Sequence, residues 1–433
     1  MGMDLELEWE EPGWQRMMDS LPRGSVIPAE RFFAMLGAVD EEGALEAALT
    51  LTARGVGLDV SRLPQGGPGA AGERLARDLE SLTGQRVPVL APRSYIFHNA
   101  ATVSRQWEHR RLALMRAMAA GEVPLLVAAV EGLLQRTLPP EELDRAWAEL
   151  RTGGSYDLNQ LAETLTAAGY SRCDQVEGVG QFALRGGILD VYSPGMEQPV
   201  RAEFFGDELD AMGLFDPATQ RRTENVERAV LLPAAEALPH LAPGGTAGLA
   251  ARLEKLAAGA EKAGRHELAQ TLRQDREALE QGRSFPATDR YLALIYPQLA
   301  TAADYLPPDA CVLFSESSRV GERAKTYQWQ LEEDAKSLME RGELDGSCAV
   351  LARTFPELNA RLSDWPTAYL DSFTLSAYPV PPGCLLSVTA KQLPSFGASL
   401  ETAVSDLDHY QRSGLGTLVL VSSEQRALNL QTL

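Results

Sequence analysis

Between Cys173 and Pro233 apolar and polar residues alternate, and turn residues interrupt the alternation every eight to ten positions. A period of two is what a pleated strand with one buried face requires, because successive side chains point to opposite sides. The segments DQVE, GQFALRGG, ILDVYSPGMEQP, VRAEFFGDE, LDAMGLFDPATQ and VERAVLLPA are therefore expected to be antiparallel strands joined by hairpins.

The flanks follow other rules. Phe32, Phe33, Met35 and Leu36, then Leu45, Ala48, Leu49 and Leu51, fit two short amphipathic helices between Ile27 and Leu58. QGGPGAAG, residues 65–72, reads as a linker because Gly and Pro are costly inside regular elements. Helices then alternate with short apolar runs, Val87 to Leu90 and Pro124 to Val130, as in an α/β layer with parallel strands. A helical tract runs from Gly248 to Gln281, with Leu249, Leu253, Leu256, Leu268, Leu272 and Leu279 spaced for one apolar face. CVLF at 311–314, CAVL at 348–351 and TLVLVS at 417–422 are short buried-strand candidates beside helices. The last segment, SEQRALNLQTL, carries no helix stop and is expected to be a helix still in progress, so the chain reads as a fragment of something longer. At 433 residues about three domains are expected. The expected organisation is a small helical unit over 1–64, a linker over 65–72, a first α/β domain over 73–150, a β-rich domain over 151–236, a helical return to the α/β domain over 237–305, and a second α/β domain over 306–433 that ends incomplete.

The sequence offers little to catalysis. A phosphate-cradling loop of the form G-x-x-x-x-G-K followed by Ser or Thr does not occur, so no nucleotide-binding residues of that class are assigned. Gly178, Gly180, Gly186 and Gly187 flank strands rather than open a helix, which suits turns better than dinucleotide binding. His98, His109, His240, His266 and His409 form no metal-ligand pair at helical spacing, and Cys173, Cys311, Cys348 and Cys384 are too scattered for zinc or a disulfide framework. Reduced thiols, no metal and no cofactor are expected. Ser315 lacks the flanking glycines of a nucleophile turn, and the Asp207–Glu208 pair reads as a solvated hairpin. The net charge of −20 opposes autonomous tight binding to nucleic acid. No apolar run approaches the roughly 20 residues that span a bilayer, and the N-terminus MGMDLELEWEEPGW is acidic where a signal peptide is basic. A cytoplasmic protein without membrane contact is expected.

Arg185, Arg201 and Phe205 form the informative constellation. In VRAEFF the alternation places Val200, Ala202 and Phe204 on one face and Arg201, Glu203 and Phe205 on the other. An outward aromatic beside arginine is a combination enriched at interface hot spots. Two readings stay open from the pattern alone: a partner-binding surface, or a Phe205 that covers the sheet edge while the arginines are solvated or paired with Glu203 and Glu208.

DQVEGVGQFALRGGILDVYSPGMEQPVRAEFFGDELDAMGLFDPATQRR, from Asp174 to Arg222, resembles the signature of the domain shared by the excision-repair protein UvrB and the transcription-repair coupling factors. LLVAAVEGLLQRTLPPEEL before it and AVLLPAAE after it resemble the α/β domain into which that domain is inserted. The similarity runs from about Glu73 to the end, and the first 70 residues do not share it. Arg93 to Trp107 is too short to hold the DNA-clamping β-hairpin of UvrB, and the material after Pro307 resembles the coupling factors' next domain, so the coupling factors are the better match.

The resemblance implies a chain of α/β and α+β parts: a degenerate motor-like α/β domain, an inserted antiparallel β-rich UvrA-binding domain, and a second small α/β domain. It implies a UvrA-type damage sensor as partner, met through the β-rich domain at the positions matching Arg185, Arg201 and Phe205. The chain stops before the family's RNA-polymerase-contacting domain and its motor, so neither polymerase contact nor translocation is expected. The leading expectation is a non-catalytic binding module of nucleotide excision repair. Its alternatives are part of a split ATP-dependent translocase that needs a separate motor chain, and a UvrB-like competitor for UvrA. A weak DNA contact through Arg105, Arg110 and Arg111, read as one solvated helix face, is expected to be secondary.

Overall fold

The first described elements of the computed structural model are two three-residue strands, β1 (Val26–Pro28) and β2 (Gly57–Asp59), which pair in parallel. The structure describes residues 26–28, 57–59, 70–97, 105–283, 285–375, 377–388, 400–414 and 428. Both ends of the span expected to be helical are thus strands, as the β-branched Val26 and Ile27 favour. The two helices expected between them lie outside the described residues. Helix α1 (Ala70–Thr83) begins inside the expected linker. Its Gly72 sits where a Cβ would lie 3.4 Å from the Val89 and Val127 side chains, so the absent side chain lets the first turn approach the strands beneath.

Those strands, β3 (Val89–Leu90) and β4 (Val127–Ala128), pair in parallel and are joined through α2 (Gln106–Ala119), giving the expected βαβ arrangement. Short elements follow: α3 (Val130–Leu134), β5 (Arg136–Thr137) and α4 (Pro140–Ala146), the last opened by proline at its first position.

The β-rich domain starts with β6 (Ala148–Arg151) and α5 (Leu158–Ala167), whose first turn is capped by the Asp157 carboxylate accepting from the Asn159 and Gln160 N–H groups. Its sheet contains β7 (Ser171–Arg172), β8 (Gln181–Arg185), β9 (Ile188–Tyr192), β10 (Val200–Phe205), β11 (Glu208–Phe215) and β12 (Arg222–Asn225). The spatial order is β12-β11-β10-β9-β8-β7, antiparallel throughout except between β7 and β8. Arg185 pairs with Ile188 and Phe205 with Glu208, leaving two-residue hairpin loops in which Gly186 and Gly206 take φ of 60° and 63°.

Two expected strands behave differently. DQVE is a loop, and VERAVLL supplies β13 (Arg228–Leu231), which leaves the ladder and pairs antiparallel with β6. The reason is coverage. Phe182, Leu189, Val191, Val200, Ala202 and Met212 give the sheet an apolar inner face, and Leu161 and Leu165 of α5 cover it together with Leu150, Ala229 and Leu231 of the β6–β13 pair. β12, exposed along its whole length, remains one edge of the sheet.

Beyond Leu238 the expected helical tract is a hairpin of two helices, α6 (Gly245–Lys262) and α7 (His266–Glu280), because Gly264 turns the chain with φ of 75°. Leu249, Leu253, Leu268, Leu272 and Leu279 nevertheless share one core with Leu112, Met115, Tyr291 and Leu351. After α8 (Leu292–Ile295), β14 (Ala300–Thr301) pairs antiparallel with β5. β15 (Val312–Ser315) and β16 (Thr367–Leu370) form a parallel pair packed on α9 (Ser317–Glu340) and α10 (Phe355–Leu362). CAVL is no strand: Cys348 ends a 3-10 turn, and the buried Cys348 and Leu351 lie three apart, a turn spacing rather than an alternation. TLVLVS and the terminal helix expectation fall outside the described residues. Residues 382–433 form a separate unit whose described helix is α11 (Leu400–Arg412). Among the described residues no helix is long and apolar enough to cross a membrane.

The body is closed around charge. Glu236, fully buried at the end of the β-rich domain, lies 3.1 Å from Arg93 Nε and 3.2 Å from Arg111 Nε and accepts from the Thr137 hydroxyl at 2.5 Å. Its own N–H donates to Glu108. Arg93 also forks onto Asp289 at 2.7 and 3.1 Å. Burial by itself would lower the Arg93 pKa, but Asp289, Glu236 and Glu108 together raise it well above its ordinary value, so the cation persists. Removing one member of a buried pair strands the other, so Glu236→Gln is expected to cost about 3 kcal/mol. A urea midpoint unchanged from the parent chain would remove the cluster from the list of stabilising interactions.

Candidate partner-binding face

The candidate face is built on one carboxylate. Asp190 stands directly opposite Arg201 across the β9–β10 ladder, and its side chain is wholly buried. Arg201 donates Nε to Oδ1 at 2.7 Å and Nη2 to Oδ2 at 2.9 Å, a two-pronged pair. Arg185, from the end of β8, donates Nη2 to the same Oδ2 at 2.5 Å. The hydrogen bond to Asp190 raises the Arg201 pKa further above its ordinary value, against the effect of burial. Beneath Arg201, its guanidinium carbon lies 4.7 Å from the Phe215 ring centre, a cation–π contact that closes the inner side. Phe215 in turn packs with Val176 and Ala183, so the loop after β7 covers this part of the outer face.

The three residues singled out from sequence therefore differ in availability. Phe205 is 85% exposed at the hairpin end of β10. The Arg185 side chain is 49% exposed and spends one nitrogen on Asp190, so further donors remain. The Arg201 side chain is only 21% exposed and is committed to Asp190, with weaker contacts to Gln220 at 3.4 and 3.5 Å. Phe204, the inward neighbour, meets Tyr156 edge-on at 6.3 Å, as the alternation requires. A register shift between Glu203 and Phe204 marks a bulge that sharpens the local twist just before Phe205. Ile188 adds a second partly exposed apolar side chain, and Glu203 pairs with Arg222 at 3.1 Å along the flank.

Pattern reading missed Asp190, and with it the partner of both arginines. Neither uses Glu203 or Glu208. The signal was present: the alternation in ILDVY puts Asp190 on the Arg201 side of the sheet. The expected basic trio on α2 does not form a face. Residues 105, 110 and 111 are separated by about 140° and 240° around a helix. Arg111 is buried against Glu236 and donates to the Gly132 carbonyl at 2.6 Å, Arg105 pairs with Glu108 at 2.7 Å, and Arg110 alone lies over the exposed Trp107 ring at 5.1 Å.

Residues 148–236 match the UvrB interaction domain family, from the first residue of β6 to Glu236. The transcription-repair-coupling factor of Bacillus subtilis (strain 168) is 28% identical over 368 residues, 83% of this chain and 31% of its own length. Those of Staphylococcus haemolyticus (strain JCSC1435) and Staphylococcus aureus (strain MRSA252) are 28% and 24% identical over 345 and 341 residues, each over 77% of this chain and 28% of their own. The chain thus spans less than a third of the length of these relatives.

The geometry separates support from surface. Asp190→Ala leaves two cations without their acceptor and is expected to cost about 2 kcal/mol. Phe205→Ala, exposed, is expected to change stability by less than about 0.5 kcal/mol. Thermal unfolding of both variants tests this, and equal effects would contradict it.

Proposed function

We propose that this chain is a non-catalytic binding module of DNA repair that recruits a UvrA-type damage sensor through the outer face of β10 and the end of β8. The observation that carries this reading is an exposed Phe205 and a half-exposed Arg185 at the same end of one sheet, whose buried Asp190 fixes the arginines, within a domain matched by the UvrB interaction family. An exposed aromatic on a rigid strand loses little conformational freedom on docking, and an arginine with spare donors selects a carboxylate on the partner. Arg201 serves as the support that holds Asp190 and aims Arg185. The matched domain and the relatives' printed role in transcription-repair coupling support a repair partner. The absence of a phosphate loop from the sequence supports a module without turnover of its own.

Titration of the chain with purified UvrA tests the proposal. Phe205→Ala and Arg185→Ala are each expected to weaken binding by on the order of 2 kcal/mol, about 30-fold, while leaving the circular dichroism spectrum of the parent. Unchanged affinity in both variants would remove the assignment of this face, and no binding by the folded parent would remove the partner.

A further inference from the structure

We propose a second site: the cleft between the β-rich domain and the helical body binds a phosphate-bearing small molecule of nucleotide size. The cleft encloses about 550 Å³. One wall is the β-rich domain, through α5 and the start of β7, and the other is the body, through the end of α7 and the segment leading into α6. A volume of this order suits an organic ligand rather than a bare ion or a polymer, since small-molecule sites span roughly 300–1,000 Å³.

Its charge runs against that of the chain. Arg105, Arg172 and Arg283 line it against one carboxylate, Glu163, whereas the chain as a whole carries 60 acidic and 40 basic residues. Arg105 is paired with Glu108, but Arg172 and Arg283 are exposed and have no ion-pair partner among the described residues. Two uncommitted guanidiniums on opposite walls of a concave site suit a ligand with several anionic oxygens. Thr246, in the first turn of α6, also lines the cleft, and no side chain caps that helix, so its N-terminal N–H groups add to the positive potential. Leu184, Leu279 and Phe285 supply an apolar surface for the organic part of the ligand. His240 also lines the cleft, and burial lowers its pKa. A ligand seated here touches both walls and therefore couples the β-rich domain to the body.

Calorimetric titration of the full chain with ADP, inorganic pyrophosphate and adenosine tests the site. ADP and pyrophosphate are expected to bind, adenosine to bind at least tenfold more weakly than ADP, and ADP to raise the melting temperature. Arg172→Glu and Arg283→Glu, both surface changes, are each expected to weaken ADP at least tenfold without altering the melting temperature of the free chain. Phe205→Ala should bind ADP like the parent, so the outcome is independent of the UvrA reading. Failure of both ADP and pyrophosphate to bind the parent would overturn the proposal. So would equal ADP affinity in the parent and both charge-reversal variants, and binding of pyrophosphate without ADP would overturn the nucleotide-sized ligand.

Discussion

The buried Glu236 carboxylate is the interaction on which the rest of the architecture depends. It gathers Arg93, Arg111 and Thr137 from before the β-rich domain, while Asp289 joins through Arg93 from after it. A domain inserted into another must leave and re-enter at neighbouring points. The departure at β6 and the return before Glu236 are joined by the β6–β13 pairing, and the buried charges beside them are held by partners from both sides of the domain. The cluster is not fully aligned. Arg93 Nε, both Arg111 Nε and Nη2, and Glu236 Oε1 make no hydrogen bond of good geometry among the described residues, so these contacts are ionic and the cluster's stability rests on mutual compensation. Glu108 illustrates this: burial would raise its pKa, yet Arg93 and Arg105 bring it below its ordinary value.

The β-rich domain repeats the device with one side open. Asp190 is as buried as Glu236, but its arginines reach solvent, so the same pairing that steadies the sheet also presents donors outward. This division of labour lets one face act as a structural element and still present donors to solvent. Arg201 is fixed by Asp190 below and Phe215 beneath its plane, and Arg185 and Phe205 stand free of the core. The flanking Glu203–Arg222 pair is exposed on both sides and contributes little to stability.

The bounds of the matched domain have a physical basis. β6 begins three residues before the expected boundary at 151, yet it pairs with β13 and carries Leu150 into the core beneath the sheet. The domain ends at Glu236, where the next side chains, Ala237 and Leu238, already belong to the core of the body. The hairpin of α6 and α7 packs into that core, and residues past 306, including Ala335 and Leu338, enter it too, so one apolar cluster crosses the expected boundary at 305.

Local chemistry determined much of this from sequence alone. The alternation in VRAEFF assigned Val200 and Ala202 inward and Arg201 and Phe205 outward, and Gly186 and Gly206 set the hairpins, because side-chain direction and turn conformation depend only on neighbouring residues. Only the tertiary structure decided which carboxylate the arginines meet, that β13 abandons the ladder for β6, and that Arg111 points inward to Glu236 while Arg110 points to solvent. Each of these joins residues far apart in the chain or turns on which helix face the core occupies. Periodicity states which side chains share a side, but not what lies opposite them, and burial of charge is settled by what lies opposite.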